Sequence, residues 1–165
     1  MTSSRTLLFV ALTAAAAIAS APALAKDKFK AELDGYQETA FTLSVAGSGE
    51  FRVDINKAKT ELEFELIYEG LTGSASAAHI HLGRPGLSGG VIVFLCGGGG
   101  KPACPAGTGG TVEGTITAAD VLGPTTQGIA AGEFAALLRA MEEGATYANV
   151  HTAAFPSGEI RGAIK

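Results

Sequence analysis

From about residue 28 to its end, the chain alternates apolar and polar side chains in short runs. Residues 61–68 read Glu-Leu-Glu-Phe-Glu-Leu-Ile-Tyr, with Leu62, Phe64, Leu66 and Tyr68 on one face and Glu61, Glu63 and Glu65 on the other. A period of two marks a half-buried strand. Phe51, Val53 and Ile55 alternate with Arg52 and Asp54 in the same way, and Asn56-Lys57-Ala58-Lys59 between the runs is turn-like, so the pair predicts a hairpin. The three glutamates read as a solvated face, because calcium requires oxygens converging from a loop. Further strands are predicted near 28–34, 77–82, 90–95, 110–117, 146–152 and 158–164, separated by glycine-rich turns. One segment has a different period. Phe134, Leu137, Leu138 and Met141 recur at i, i+3, i+4 and i+7, an amphipathic helix near 132–143 that packs on the core and stops at Gly144. A shorter helical turn is expected at 118–122. The pattern is mainly β: an antiparallel β-sandwich or barrel with one short helix.

The last hairpin can be read in register. Val150 on one strand matches Ile160 on the other as apolar partners, which sets Asn149 against Arg161 and His151 against Glu159 around a loop near Ala154-Phe155-Pro156. A slip of one residue would turn one strand's apolar set outward. This register places a carboxylate beside an imidazole, where it would raise the ring's basicity and fix its tautomer.

The chain has three histidines, His79, His81 and His151, and all lie in predicted strands. His79 and His81 are spaced i, i+2, so both rings leave the same face of their strand. Such a pair offers two ligands from one backbone, and neutral imidazole suits copper or zinc.

The N-terminus bears on compartment. Arg5 is followed by an apolar run from Leu7 to Ala19 and by Ala21-Pro22-Ala23-Leu24-Ala25, with small residues at the A-x-A positions. This reads as a secretory signal peptide cleaved after Ala25, leaving residues 26–165 as one secreted or periplasmic domain. The apolar run is too short to span a bilayer and no stop-transfer charges come after it, so no membrane span is expected after cleavage. A formal net charge of −4 without basic patches gives no expectation of nucleic acid. The two cysteines, Cys96 and Cys104, flank Gly-Gly-Gly-Gly-Lys-Pro-Ala; in an oxidising compartment they read as a disulfide closing a glycine-rich loop.

Longer motifs carry a resemblance. Ala78-His-Ile-His-Leu-Gly83, Gly86-Leu-Ser-Gly-Gly-Val-Ile92, Tyr147-Ala-Asn-Val-His-Thr-Ala153 and Pro156-Ser-Gly-Glu-Ile-Arg-Gly162 together resemble the CHRD domain, the module repeated in chordin and found singly in exported bacterial proteins. Leu33-Asp-Gly-Tyr-Gln-Glu38 is similar to that domain's opening, and Gly47-Ser-Gly49 fits the family's next stretch. The similarity spans about residues 28 to 165. One departure is Thr39-Ala40-Phe41, where the family usually continues with a proline pair. The resemblance implies an immunoglobulin-like or related β-sandwich. It transfers no activity, since a fold does not carry function.

The residues support three functional readings. In the first, His79, His81 and His151 hold a copper or zinc ion, with Glu159 behind His151 or as an oxygen ligand. Copper/zinc superoxide dismutases also present an H-x-H on a sandwich strand, so a dismutase-like sandwich is the alternative architecture. This chain lacks the further histidines of a bridged two-metal site, and dismutase activity is not expected. In the second, the domain is a non-enzymatic envelope module contacting protein or glycan. In the third, the histidines join Asn149, Thr152, Glu159 and Arg161 in a structural polar ladder. Ser88 and Ser157 lack a nucleophile elbow, and Gly97–Gly100 lacks the spacing of a phosphate cradle, so no catalytic constellation is recognised.

Overall fold

Alternation becomes structure most plainly in the strand Leu62–Glu69, where Leu62, Phe64, Leu66 and Tyr68 are buried and Glu63 and Glu69 face solvent. The computed structural model describes residues 27–165; the predicted signal peptide lies outside the described residues. Eight strands form: β1 (Lys28–Asp34), β2 (Ser48–Ile55), β3 (Leu62–Glu69), β4 (Ala75–Leu82), β5 (Val91–Cys96), β6 (Gly110–Ile116), β7 (Thr146–Thr152) and β8 (Ile160–Ala163). The helix α1 (Phe134–Glu142) buries Phe134, Leu137, Leu138 and Met141, the stripe its period predicts. Residues 118–120 form a 3-10 turn within the segment expected to be helical.

All pairings are antiparallel and belong to one sheet in the order β5-β4-β7-β8-β1-β2-β3-β6. The sheet is nearly closed, with β5 and β6 approaching one another. A single apolar cluster draws on every strand and on α1, and it includes Phe51, Leu66, Ile80, Ile92, Ile116, Val150 and Ile160. The sandwich is therefore one continuous sheet folded over its own core, which leaves few exposed edges. Cys96, at the end of β5, is bonded to Cys104 with a Cα–Cα separation of 5.0 Å, tethering the loop that leads towards β6.

The terminal hairpin has the register that its apolar pattern demands: Val150 opposes Ile160, Asn149 opposes Arg161 and Tyr147 opposes Ala163. Because β7 also pairs with β4, it is an interior strand, and Ala148 and Val150 are wholly buried. Strand β8 is short and lies between β7 and β1. Gly162 permits that approach, since a Cβ there would overlap the backbone carbonyl oxygen of Glu32. Backbone cannot yield as a side chain can. Gly162→Ala should therefore destabilise the fold by about 1–3 kcal/mol, the usual cost of overpacking. Urea denaturation is the check, and an unchanged midpoint would contradict this account of β8.

Candidate metal centre

Pairing of β4 with β7 builds the site. Ala77 opposes His151, His79 opposes Asn149 and His81 opposes Tyr147. Strand alternation sends Ala78, Ile80, Ala148 and Val150 to the core, so His79, His81, Tyr147, Asn149 and His151 share the other face. On most sheets that face is wet. Here His79 and His81 are only 8% exposed and Asn149 and Arg161 are buried, because residues 35–47 and 83–90 contribute partners over it.

The hydrogen bonds assign the imidazole protons. His81 Nδ1 lies 2.9 Å from the Gly89 carbonyl, and His151 Nδ1 lies 3.0 Å from the Pro156 carbonyl. A carbonyl only accepts, so each Nδ1 carries the proton and donates. His151 Nε2 is then a lone pair, which accepts from His79 Nδ1 at 3.1 Å. By this chain of donors all three rings are Nδ1–H tautomers. Nε2 of His79 and Nε2 of His81 are left as buried acceptors with no hydrogen-bond partner among the described residues. A third such atom, Thr146 Oγ1, is at the opposite end of β7 from His151.

One ligand nitrogen from each ring lies within 4.8 Å of the others. Metal–imidazole bonds of about 2.0–2.1 Å put nitrogens of a tetrahedral set about 3.4 Å apart. The widest separation has to close by about 1.4 Å, and His151 Nε2 has to exchange its 3.1 Å hydrogen bond from His79 Nδ1 for the ion. Nε2 of His79 and of His81 would give up no hydrogen bond in moving. Carbonyls on Nδ1 are also the usual means of orienting a metal-binding imidazole.

Surroundings keep the rings neutral. Burial pushes His79 down to about 3, helped by His151 and His81. Burial likewise lowers His81 to about 4, with His151 and Arg161 adding to the effect and the Gly89 hydrogen bond opposing it. His151 is lowered by burial too, against the Pro156 hydrogen bond. The Phe94 ring meets His79 edge-on at 4.3 Å, and Tyr147 stacks on His81 at 4.8 Å. Behind Tyr147, the Arg161 guanidinium sits 3.4 Å from the ring centroid.

A polar ladder adjoins the histidines. Asn149 Nδ2 donates to Glu38 Oε1 at 2.6 Å and to the Ile160 carbonyl at 2.8 Å. Arg161 donates to Thr39 Oγ1 at 3.0 Å and to the Leu87 carbonyl at 2.6 Å, linking the loops after β1 and β4 to β8. Thr39 and Ser88 join those loops directly at 2.6 Å. Glu38 is buried, and desolvation raises its pKa against the pull of Asn149 and Arg161.

Glu159 is not where alternation expects it. Its backbone N–H donates to the Val150 carbonyl at 2.8 Å, and the strand pairing ends at Val150 and Ile160. This irregularity takes its side chain away from the histidines, toward Leu71 and Ile160, the neighbours of Gly47. The carboxylate is wholly buried and accepts from Thr72 N at 2.7 Å, Thr72 Oγ1 at 2.8 Å and Thr152 Oγ1 at 2.6 Å. Three donors in a dry pocket hold it more firmly than a neutral imidazole could. Glu159 is therefore neither partner of His151 nor part of the ligand group, and Thr152 serves it rather than the histidines. Two participants, Tyr147 and Glu38, stand in the CHRD-like motifs of the sequence but are not among its candidate site residues. Tyr147 was legible, two positions before Asn149 on the same strand face. Glu38 lies in a loop without periodicity.

The class so defined is a nearly closed antiparallel β-sheet domain with a loop-covered polar face bearing three clustered histidines. The CHRD domain model matches residues 29–164, and the chain belongs to the CHRD domain family. No curated protein and no solved structure matches it.

The neutral histidines carry a pH signature. An unfolded chain takes up protons near 6.5, whereas folded His79 and His81 stay neutral to about 3 and 4. Between those limits the unfolded state binds more protons, so stability is lost as pH falls. The slope reaches about 1.4 kcal/mol per pH unit for each such histidine. Urea denaturation of the chelator-treated protein should show this loss from pH 7 to pH 5, before most carboxylates titrate. A flat profile there would contradict burial of neutral rings.

Proposed function

We propose that this protein is an exported single CHRD domain that binds one copper or zinc ion through His79, His81 and His151. The observation that carries the proposal is the tautomer chain: it leaves buried lone pairs on Nε2 of His79 and Nε2 of His81, two of the three clustered rings, with no donor to meet them. A buried acceptor left unmet costs about 1–3 kcal/mol, and a cation in the cluster would remove that cost. Export is supported by the apolar run ending in an A-x-A sequence and by the Cys96–Cys104 disulfide, a bond that persists in oxidising compartments.

A second reading draws on the covering loops. Tyr36, Phe41 and Leu87 are 65%, 79% and 60% exposed on the two segments over the site. In that reading the domain is a non-enzymatic envelope module, the loops contact a protein partner, and the polar ladder sets their shape.

Calorimetric titration of the purified protein with copper and with zinc separates the two. The metal reading expects one equivalent bound by the wild type and none by the His79→Ala/His81→Ala double variant, with folding of both verified by circular dichroism. No heat from the wild type, or binding unchanged in the double variant, would overturn it.

A further inference from the structure

We infer that the ion this cluster selects is monovalent copper, Cu(I), in preference to zinc or Cu(II). The inference rests on the metal-centre reading above and narrows it by the charge that the site can bear.

The donor set is neutral. Among the described residues no aspartate, glutamate or cysteine joins the three histidines as a ligand group. Nearby carboxylates are committed elsewhere: Glu159 to Thr72 and Thr152, and Glu38 to Asn149. Cys96 and Cys104 are bonded to each other. An ion bound here keeps its whole charge, with no anionic ligand to offset it.

The rings that touch the histidines are aromatic, and a cation lies behind one of them. Phe94 closes on His79 at 4.3 Å, and Tyr147 covers His81. On the far face of Tyr147 sits the Arg161 guanidinium, so that side already holds a cation. The energy of placing an ion in a low-dielectric site grows as the square of its charge, and a divalent ion bears about four times the penalty of a monovalent one.

Coordination number points the same way. Zinc completes a tetrahedron, and with three protein ligands it takes a water or substrate as the fourth. Nε2 of His79 and of His81 are shut from solvent, and of the three histidines only His151 is half-buried. Cu(I) is a closed-shell ion satisfied by two or three donors, and three imidazoles complete it without a water.

Competition decides the matter. The purified protein is loaded anaerobically with Cu(I) and challenged with a chromophoric Cu(I) chelator; zinc is measured against a zinc indicator, and Cu(II) without reductant. The expected result is one Cu(I) held more tightly than Zn(II), undisplaced by excess zinc and tighter than Cu(II). His151→Asp supplies the missing negative charge and should move the preference toward zinc. Zinc displacing Cu(I) from the wild type, or Cu(II) binding more tightly, would overturn the Cu(I) assignment and leave the three-histidine site standing. No binding of any of the three would remove the metal centre itself.

Discussion

Antiparallel pairing of β4 with β7 is the constraint on which the rest of the site depends. The two strands are far apart in sequence, and their register places Ala77 against His151 and His79 against Asn149. One residue of slip would turn one of the two strands over, sending its histidines into the apolar cluster and its apolar residues out of it. The apolar residues of these strands therefore hold the imidazoles in place. Ala78, Ile80, Ala148 and Val150 are all wholly buried, so the register is held by the core and the polar face inherits its geometry.

That inherited face is then taken out of water. Arg161 binds the Leu87 carbonyl, and Thr39 and Ser88 tie the first long loop to the loop after β4. Almost every buried polar group in this layer has a partner: Asn149 has two acceptors, Arg161 has carbonyls and a hydroxyl, and Glu159 has three donors. Against this background the unpartnered Nε2 atoms of His79 and His81 stand apart. A ladder serving structure alone would be expected to satisfy its own members, since each orphaned acceptor costs about 1–3 kcal/mol. The Nδ1 contacts with Gly89 and Pro156 hold two of the rings in the tautomer that a metal uses.

Much of this was legible in the sequence, for local reasons. Period-two runs located the strands and the i, i+3, i+4, i+7 stripe located α1, because burial acts on each side chain where it stands. The pairing of Val150 with Ile160 came from matching apolar faces. Glu159 escaped that logic, because alternation fails at an irregularity: its N–H bonds to Val150, and its carboxylate finds Thr72, a residue no local pattern connects to it. Glu38 was missed for a related reason. It enters the polar layer from a loop, through a hydrogen bond to Asn149 across most of the chain. That β4 lies beside β7 is likewise a matter of topology, and periodicity is silent on it.

The central claim is that three neutral imidazoles, held as Nδ1–H tautomers, turn lone pairs toward one ion. Long-range proton–nitrogen NMR of the imidazole rings tests it most directly, first metal-free and then with diamagnetic Cu(I) added anaerobically. The account predicts Nδ1-protonated, uncharged rings at neutral pH, and a shift of all three histidines that is complete at one equivalent of metal. Nε2 protonation of His81 or His151, or a shift confined to one ring, would contradict it.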